Sequence, residues 1–167
     1  MKSLYIDFDG VILDTINTSY KMLEEAKIDP KDSKKTTAFY KKMDWKHILE
    51  ITPVINDGIS CIERIIESNL FDVSILTHVN SLEEAIEKVK YIRKYFKDIT
   101  IIPVPKEISK TKMVHTKGSI LVDDYSGNLT EWASEGGIPI RFSPTLDSKG
   151  FTVINKLDQI IDMEFAD

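Results

Sequence analysis

Short apolar runs alternate with helical patterns along most of the chain. Each run is bounded by polar residues, as is typical of buried parallel strands, and the five runs cover residues 4–6, 71–76, 99–104, 120–122 and 138–142. Strands that alternate with helices predict an α/β fold with right-handed crossovers. We therefore expect a Rossmann-like, three-layer arrangement in which helices cover both faces of a parallel sheet.

Three segments between these runs have helical signals. Residues 59–66 place four isoleucines on one helical face. Ser81 and Glu84 have the spacing of a capping box, and the apolar residues after them predict a stripe that faces the sheet: Leu82, Ala85, Ile86, Val89 and Phe96. Residues 128–135 are expected to form a helix that ends at Gly136 and Gly137.

The segment between the first and second runs, residues 7–70, is too long for one crossover helix. Helical patterns cover residues 20–27 and 39–51, with a break at Asp44, and residues 30–35 have the composition of a charged loop. We predict that residues 15–53 form a small helical cap inserted after the first strand. Residues 1–14 and 54–167 then form the core domain.

Composition narrows the classes of function. The 167 residues include 22 Lys and Arg against 27 Asp and Glu, so the net charge of −5 argues against a nucleic-acid partner. The single cysteine, Cys61, excludes a disulfide framework and a cysteine-based zinc cluster. No apolar run approaches the ~18 residues that span a bilayer. We expect a cytoplasmic protein without a membrane partner; the sequence does not indicate whether it forms a homo-oligomer.

Polar residues that carry chemistry follow or precede the predicted strands. Asp7 and Asp9 follow the first strand, Thr77 the second, and Asp123 and Asp124 the fourth. Three lysines precede the fourth strand, namely Lys106, Lys110 and Lys112. Ligands of open α/β sheets bind at the carboxyl ends of the strands, where strand order reverses. These groups converge there if the first strand lies between the second and the fourth.

Four carboxylates in one crevice repel one another and require a cation or protons. Hard oxygen ligands without nearby histidine or cysteine suit Mg²⁺. The hydroxyl of Thr77 and a lysine add donors that a bound phosphate would use. Because a carboxylate can form an aspartyl-phosphate, this set of groups predicts an enzyme of phosphoryl transfer.

The motifs that contain these residues resemble those of the haloacid-dehalogenase-like (HAD) superfamily of phosphohydrolases. The first motif is Asp7-Phe8-Asp9-Gly10-Val11, the second is Ser74-Ile75-Leu76-Thr77, and the fourth is Ile120-Leu121-Val122-Asp123-Asp124. Within the superfamily the chain looks most like the 5'(3')-deoxyribonucleotidases and their bacterial relatives. This narrower resemblance adds the residues 12–14, the run 71–77, and Asn128, Leu129 and Trp132.

The resemblance implies a role for each motif residue. Asp7 would be the nucleophile, and Asp9 would protonate the leaving oxygen and then activate water. Mg²⁺ would be held by the Asp7 carboxylate, the Asp9 backbone carbonyl and a carboxylate of the Asp123–Asp124 pair. The spacing to Asn128 favours Asp124 as the inner ligand, although the two roles could be exchanged. Thr77 would bind a phosphate oxygen.

The lysine of the third motif has three candidates. Lys110 at a predicted helix start is preferred, Lys112 fits the spacing to the fourth motif nearly as well, and Lys106 is the third. The residues after two motifs depart from the mammalian nucleotidases, because His78 follows Thr77 and Tyr125 follows Asp124. The nucleotide preference of those enzymes therefore does not carry over.

The aromatic residues of the predicted cap have two interpretations. They stack on a nucleotide base, or they form the core of the cap; these residues are Tyr20, Phe39, Tyr40 and Trp45. Separately, His78 directly follows Thr77 and is a candidate to point at the leaving group. Substrate binding is accordingly predicted for Phe39, Tyr40, Trp45, His78, Thr77, Lys110 and Lys112.

The resemblance implies a Mg²⁺-dependent phosphomonoesterase that hydrolyses a nucleoside monophosphate through a phospho-aspartate. One alternative is a phosphatase of the same fold for another small metabolite, such as a sugar phosphate. A more remote alternative is a non-catalytic binding protein on this fold. A dehalogenase would need neither Asp9 nor a metal, and a signalling receiver domain would place its acidic pair after the first strand, so both are disfavoured.

Overall fold

The sheet has six parallel strands in the order β3-β2-β1-β4-β5-β6 in a computed structural model that describes residues 1–166. The strands are β1 (Lys2–Ile6), β2 (Phe71–Val79), β3 (Thr100–Pro105), β4 (Ile120–Asp123), β5 (Ile138–Phe142) and β6 (Thr152–Ile154). The expected α/β fold is confirmed, and β1 lies between β2 and β4 as the convergence of the polar residues requires. The sequence prediction missed β6, because a three-residue edge strand has too few positions for a hydrophobic pattern.

Six α-helices connect the strands. They are α1 (Thr15–Glu25), α2 (Ser33–Lys41), α3 (Trp45–Ile51), α4 (Gly58–Glu67), α5 (Leu82–Arg93) and α6 (Ser126–Ser134), with 3₁₀ turns at Lys110–Lys112 and Leu157–Asp162. Within residues 1–166 no helix combines the length and the apolar character that crossing a membrane requires.

The side chains of β1 alternate between two apolar layers. Leu4 and Ile6 are buried in a cluster with residues of α4 and α5, whereas Tyr5 points to the opposite face. There the ring of Trp132 on α6 meets Tyr5 edge to face, with 5.6 Å between the centroids. The helices therefore cover both faces of the sheet, and the carboxyl edge of the strands remains available for polar residues.

The helices between β1 and α4 differ in detail from the prediction. Helix α1 begins at Thr15 rather than at residue 20, and α2 begins at Ser33 inside the expected charged loop. Residues 39–51 belong to two helices, because Asp44 is the N-cap of α3 and its carboxylate accepts the His47 N–H at 3.1 Å. Aspartate favours this capping position over a helix interior, which explains the break.

The segment predicted as a cap shares its apolar core with the sheet. Met43, Trp45, Ile48 and Leu49 lie in the same buried cluster as Leu4 on β1. The three helices are therefore packed onto the core rather than folded around a cluster of their own. The division into a cap of residues 15–53 and a core domain of residues 1–14 and 54–167 stays a prediction.

The predicted apolar stripe of α5 is confirmed only in part, because Ala85 and Val89 are half-buried and Phe96 packs against the core, but Leu82 and Ile86 face solvent. Leu82 is 77% exposed and Ile86 is 44% exposed, whereas Glu84 and Lys88 are almost completely buried. Glu84 and Lys88 lie one helical turn apart, the spacing of ion pairs on helix surfaces. In the structure this pair turns inward because Lys88 also reaches Asp9, in the loop after β1.

We predict that mutations on the two faces of α5 differ in their effect on the free energy of unfolding. Leu82→Gln changes the free energy of unfolding by no more than ~0.5 kcal/mol, as expected for a surface site. Ile92→Ala removes a side chain with no exposed surface and costs about 2–5 kcal/mol. Urea unfolding of both variants measures the difference. A larger loss for Leu82→Gln would restore the predicted stripe.

Candidate active site

The loop after β1 places two aspartates at the carboxyl edge of the sheet. The Asp7 N–H donates to the Val122 carbonyl at 2.9 Å, which fixes Asp7 beside the end of β4. The chain then turns back, and the Gly10 N–H donates to the Leu13 carbonyl at 2.9 Å. Gly10 has a φ of +75°, and a Cβ there would collide with the carboxylate of Asp124. Glycine is thus required both by the turn and by the approach of that carboxylate.

A buried lysine contacts both the first and the fourth motif. Lys110 Nζ lies 2.8 Å from Asp7 Oδ1 and 2.8 Å from Asp123 Oδ2, and the lysine side chain is 2% exposed. Lys112 and Lys106 are exposed, and neither forms an ion pair with a described residue of this cluster. Of the three candidate lysines, Lys110 is the one that the fold brings to the aspartates. Burial disfavours its charge, but Asp7 and Asp123 outweigh that effect and raise the pKa of Lys110.

The two carboxylates after β4 have different surroundings. Asp123 is fully buried and accepts hydrogen bonds from Lys110, from the Tyr125 N–H at 2.9 Å and from Asn128 Nδ2 at 3.0 Å. These donors lower the pKa of Asp123 even though burial opposes its charge. Burial and the Asp123 charge instead raise the pKa of Asp124 to about 7. Asp124 is therefore the carboxylate of the pair that lacks a compensating cation.

The cluster has the donor set of a magnesium site. Single carboxylate oxygens of Asp7, Asp123 and Asp124 all lie within 4.8 Å of one another. Burial and the two neighbouring aspartates raise the pKa of Asp7 as well, although Lys110 opposes the shift. One ammonium does not balance three carboxylates, and hard oxygen ligands of this kind fit Mg²⁺. The residues present thus fit the ion that the sequence predicts.

Asp9 occupies a separate environment. Its Oδ1 accepts the Thr15 hydroxyl at 2.6 Å, and its Oδ2 lies 2.7 Å from Lys88 Nζ. Lys88 was missed by the sequence prediction, because an i, i+4 Glu–Lys pair on a helix usually lies in solvent. The one available signal was that Lys88 follows Thr77 by 11 residues and lies in the second turn of the helix after β2.

Thr77 and His78 lie within β2 rather than after it, because the strand extends to Val79. The Thr77 side chain is fully buried, and its hydroxyl accepts a hydrogen bond from Lys88 Nζ at 3.1 Å. His78 Nε2 donates to the Ile108 carbonyl at 2.9 Å, and burial lowers the pKa of His78. Burial thus favours the neutral form of His78. The role of Thr77 in phosphate binding stays a prediction.

A cavity of about 240 Å³ opens beside Asp9, between the sheet edge and helices α1 to α3. Its lining combines polar and aromatic side chains: Asp9, Thr15, Ser19, Tyr20, Tyr40, Trp45, His78, Asn80 and Lys106. Phe39 is absent from the lining and packs against the apolar core. Trp45 is only 4% exposed, and one face of its ring is covered by Lys88 Nζ, 5.2 Å from the ring centroid.

We predict that Asp124 is needed for Mg²⁺ binding. Mg²⁺ that binds only the folded protein raises its melting temperature, and Asp124→Asn should remove most of this rise. Asp98→Asn is the control and should keep the rise in melting temperature, because Asp98 is exposed and does not belong to the acidic cluster. Thermal unfolding at increasing Mg²⁺ concentrations makes the comparison. An unchanged rise in Asp124→Asn would remove this residue from the metal site.

Comparison with known proteins supports the fold. No protein-family model matches the chain, and no curated protein matches its sequence. Solved structures do match: a HAD phosphatase from Thermococcus onnurineus has 16% identity and a TM-score of 0.63, and the match covers 97% of each chain.

Two further structures agree with this likeness. A HAD-superfamily hydrolase of subfamily IA from Geobacter sulfurreducens has 9% identity and a TM-score of 0.59, covering 97% of this chain and 95% of that one. A hydrolase from Pseudomonas syringae has 10% identity and a TM-score of 0.64, covering 97% of each chain. At these identities the likeness concerns the fold alone. The chain has the α/β fold of the HAD-superfamily hydrolases.

Proposed function

We propose that this protein is a Mg²⁺-dependent phosphomonoesterase that works through a phospho-aspartate on Asp7. The observation that carries the proposal is the arrangement of charges at the sheet edge. The Asp7, Asp123 and Asp124 carboxylates converge, a buried lysine pairs with two of them, and Asp9 stands apart beside a cavity. A nucleophile, a cation site and a separate acid/base group are the parts that phosphoryl transfer to a carboxylate requires.

The proposed reaction has two steps. A carboxylate oxygen of Asp7 forms a bond to phosphorus while the bond to the ester oxygen breaks, and the protonated Asp9 gives its proton to that oxygen. An alcohol then leaves into the cavity beside Asp9. In the second step Asp9 takes a proton from water, whose oxygen attacks phosphorus and breaks the bond to Asp7. Inorganic phosphate is released, and both aspartates return to their starting states.

The remaining residues would bind Mg²⁺ and place positive charge beside the phosphate. The Asp7 and Asp124 carboxylates and the Asp9 backbone carbonyl would hold Mg²⁺, with Asp123 acting through Lys110 or through water. The bound ion would supply positive charge that offsets the crowded carboxylates and the incoming phosphate. Lys110 adds a second positive charge at the same place, and its contacts with Asp7 and Asp123 keep it there.

The leading substrate class is a nucleoside monophosphate. The support is the aromatic lining of the cavity beside Asp9, in which Tyr40 is half-buried and Tyr20 is half-exposed. A base that stacks on such a ring gains about 1–3 kcal/mol. Phe39 and Trp45 contribute less to this support, because Phe39 lies outside the cavity lining and Trp45 exposes little of its ring.

A smaller phosphorylated metabolite, such as a sugar phosphate, is the second candidate. The cavity volume of about 240 Å³ favours it, because typical ligand pockets measure ~300–1,000 Å³. The hydroxyl groups of Thr15, Ser19 and Tyr40 in the lining also suit a leaving group rich in hydroxyls.

A phosphate-release screen tests the proposed function. The purified protein is incubated with nucleoside monophosphates, sugar phosphates and p-nitrophenyl phosphate, each with Mg²⁺ and with EDTA. Release with Mg²⁺ and none with EDTA is expected, and Ca²⁺ should inhibit because it prefers more ligands at longer distances. Full activity in EDTA would exclude the metal-dependent mechanism, and no release from any ester would exclude the phosphatase.

We predict that Asp7→Asn abolishes turnover and leaves the fold intact. The amide has nearly the same shape as the carboxylate but is a poor nucleophile, so kcat should fall by at least roughly 10³-fold. Asp72→Asn changes an exposed aspartate at the start of β2 and serves as the matched control. Turnover of Asp7→Asn within tenfold of the wild type would contradict a covalent role for this residue.

We predict that Tyr40 and Phe39 differ in their effects on the substrate. Tyr40→Ala should lower kcat/KM for a nucleoside monophosphate by a factor of about 5–150, the equivalent of one lost stacking contact. Hydrolysis of p-nitrophenyl phosphate should change far less. Both rings pack against the core, but Phe39 does not line the cavity, so Phe39→Ala should lower the melting temperature and affect both esters alike. If Tyr40→Ala also affects both esters alike, the second substrate class is favoured.

A further inference from the structure

Lys88 lies at the centre of a buried polar network that the sequence prediction did not include. Its Nζ is 2.6 Å from Glu84 Oε2, 2.7 Å from Asp9 Oδ2, 3.1 Å from Thr77 Oγ1 and 3.2 Å from the His78 carbonyl. A lysine ammonium has three N–H donors, so these four acceptors saturate it. Lys88 therefore has no free donor for a phosphate, and any role it has is exerted through its neighbours.

The position of Lys88 is determined from several sides. Glu84 Oε1 accepts the Asn80 N–H at 2.7 Å and Asn80 Nδ2 at 3.1 Å, which anchors the carboxylate at the start of α5. The rings of Phe8 and Trp45 each have their centroid 5.2 Å from Lys88 Nζ, as in a cation–π contact. The ammonium is thus held by hydrogen bonds and ring contacts from several sides.

The group attached most directly is Asp9. Thr15 and Lys88 hold its two carboxylate oxygens, so neither oxygen is free to turn toward the positive charge of Lys110 or of a bound metal ion. A carboxylate released from Lys88 would have the Lys110 ammonium, or a bound metal ion, as its alternative partner. Lys88 also contacts the Thr77 hydroxyl and so links the loop after β1 to β2.

We propose that Lys88, anchored by Glu84, is a positioning residue that keeps the Asp9 carboxylate directed at the leaving oxygen of the substrate. This inference rests on the proposed phosphomonoesterase function. Loss of Lys88 would leave Asp7 and Lys110 in place, because neither contacts it within the described hydrogen-bond network. The expected defect is in proton donation to the leaving group and not in attack on phosphorus.

The dependence on the leaving group reports this defect. Phenyl phosphate and p-nitrophenyl phosphate have the same ring, but the phenolate is the more basic leaving group and gains more from a proton donor. The test variant combines Lys88→Met with Glu84→Gln, since removing Lys88 alone would leave Glu84 buried and unpaired. Lys90→Met removes a lysine from the exposed face of the same helix and is the matched control.

The kcat/KM of the double variant for phenyl phosphate should fall by roughly tenfold or more beyond its fall for p-nitrophenyl phosphate, because general acid catalysis contributes about 10²–10⁴-fold. Lys90→Met should keep the wild-type ratio. Glu84→Gln alone, which retains Lys88, should shift the ratio in the same direction by less. Circular dichroism and thermal unfolding confirm that each variant is folded.

Two results would overturn the inference. Equal losses for the two esters in a folded double variant mean that Lys88 supports the structure only, and unchanged kinetics mean that it does not act on Asp9. The proposed function fails in a different way: the Mg²⁺-loaded wild-type protein would release phosphate from neither ester, and the inference would fall with it.

Discussion

The parallel pairing of β1 with β2 on one side and β4 on the other is the constraint on which the candidate site depends. Asp7 follows β1 directly, Thr77 lies near the end of β2, and Asp123 ends β4. Parallel strands end at the same edge, so this pairing concentrates acidic groups that lie far apart in sequence. The register is secured by the apolar residues of β1, which are buried on both faces of the sheet.

Charge concentrated in this way must be compensated where water is excluded. Five carboxylates, those of Asp7, Asp9, Glu84, Asp123 and Asp124, share two buried lysines. The lysines divide them into two groups: Lys110 pairs with Asp7 and Asp123, and Lys88 pairs with Asp9 and Glu84. Asp124 forms no ion pair with a lysine or arginine among the described residues, and burial together with the Asp123 charge raises its pKa to about 7. This residual negative charge is what makes a divalent cation fit the site.

The division into two groups would also separate the two chemical roles proposed for Asp7 and Asp9. A nucleophile must stay close to positive charge that receives the phosphate, whereas an acid/base group must exchange protons with the leaving oxygen. Asp9 is two residues from Asp7, yet Thr15 and Lys88 turn it toward the cavity and away from Lys110. Helices α1 and α3 contribute to this arrangement directly, because they supply Thr15 and the Trp45 ring over Lys88.

The sequence by itself determined the fold class, the strands of the sheet centre and the candidate residues Asp7, Asp9, Thr77, Asp123 and Asp124. The strands follow from short apolar runs, and the candidate residues follow from motifs a few residues long. Patterns of this length can be read from the sequence alone. Helix boundaries around Asp44 were partly visible because a capping aspartate acts on its own neighbours.

Only the tertiary structure decided which lysine reaches the aspartates, which face of α5 is buried and which aromatics line the cavity. Each of these depends on contacts between residues distant in the chain: Lys110 is selected by Asp7, 103 positions away, and Lys88 by Asp9, 79 positions away. In α5 the buried ion pair, rather than the hydrophobic pattern, determines which face of the helix points inward. The Lys88 ammonium is stable in the interior because two carboxylates and two aromatic rings surround it. Asp9, Phe8 and Trp45 lie outside the helix, so the sequence of α5 alone does not indicate this orientation.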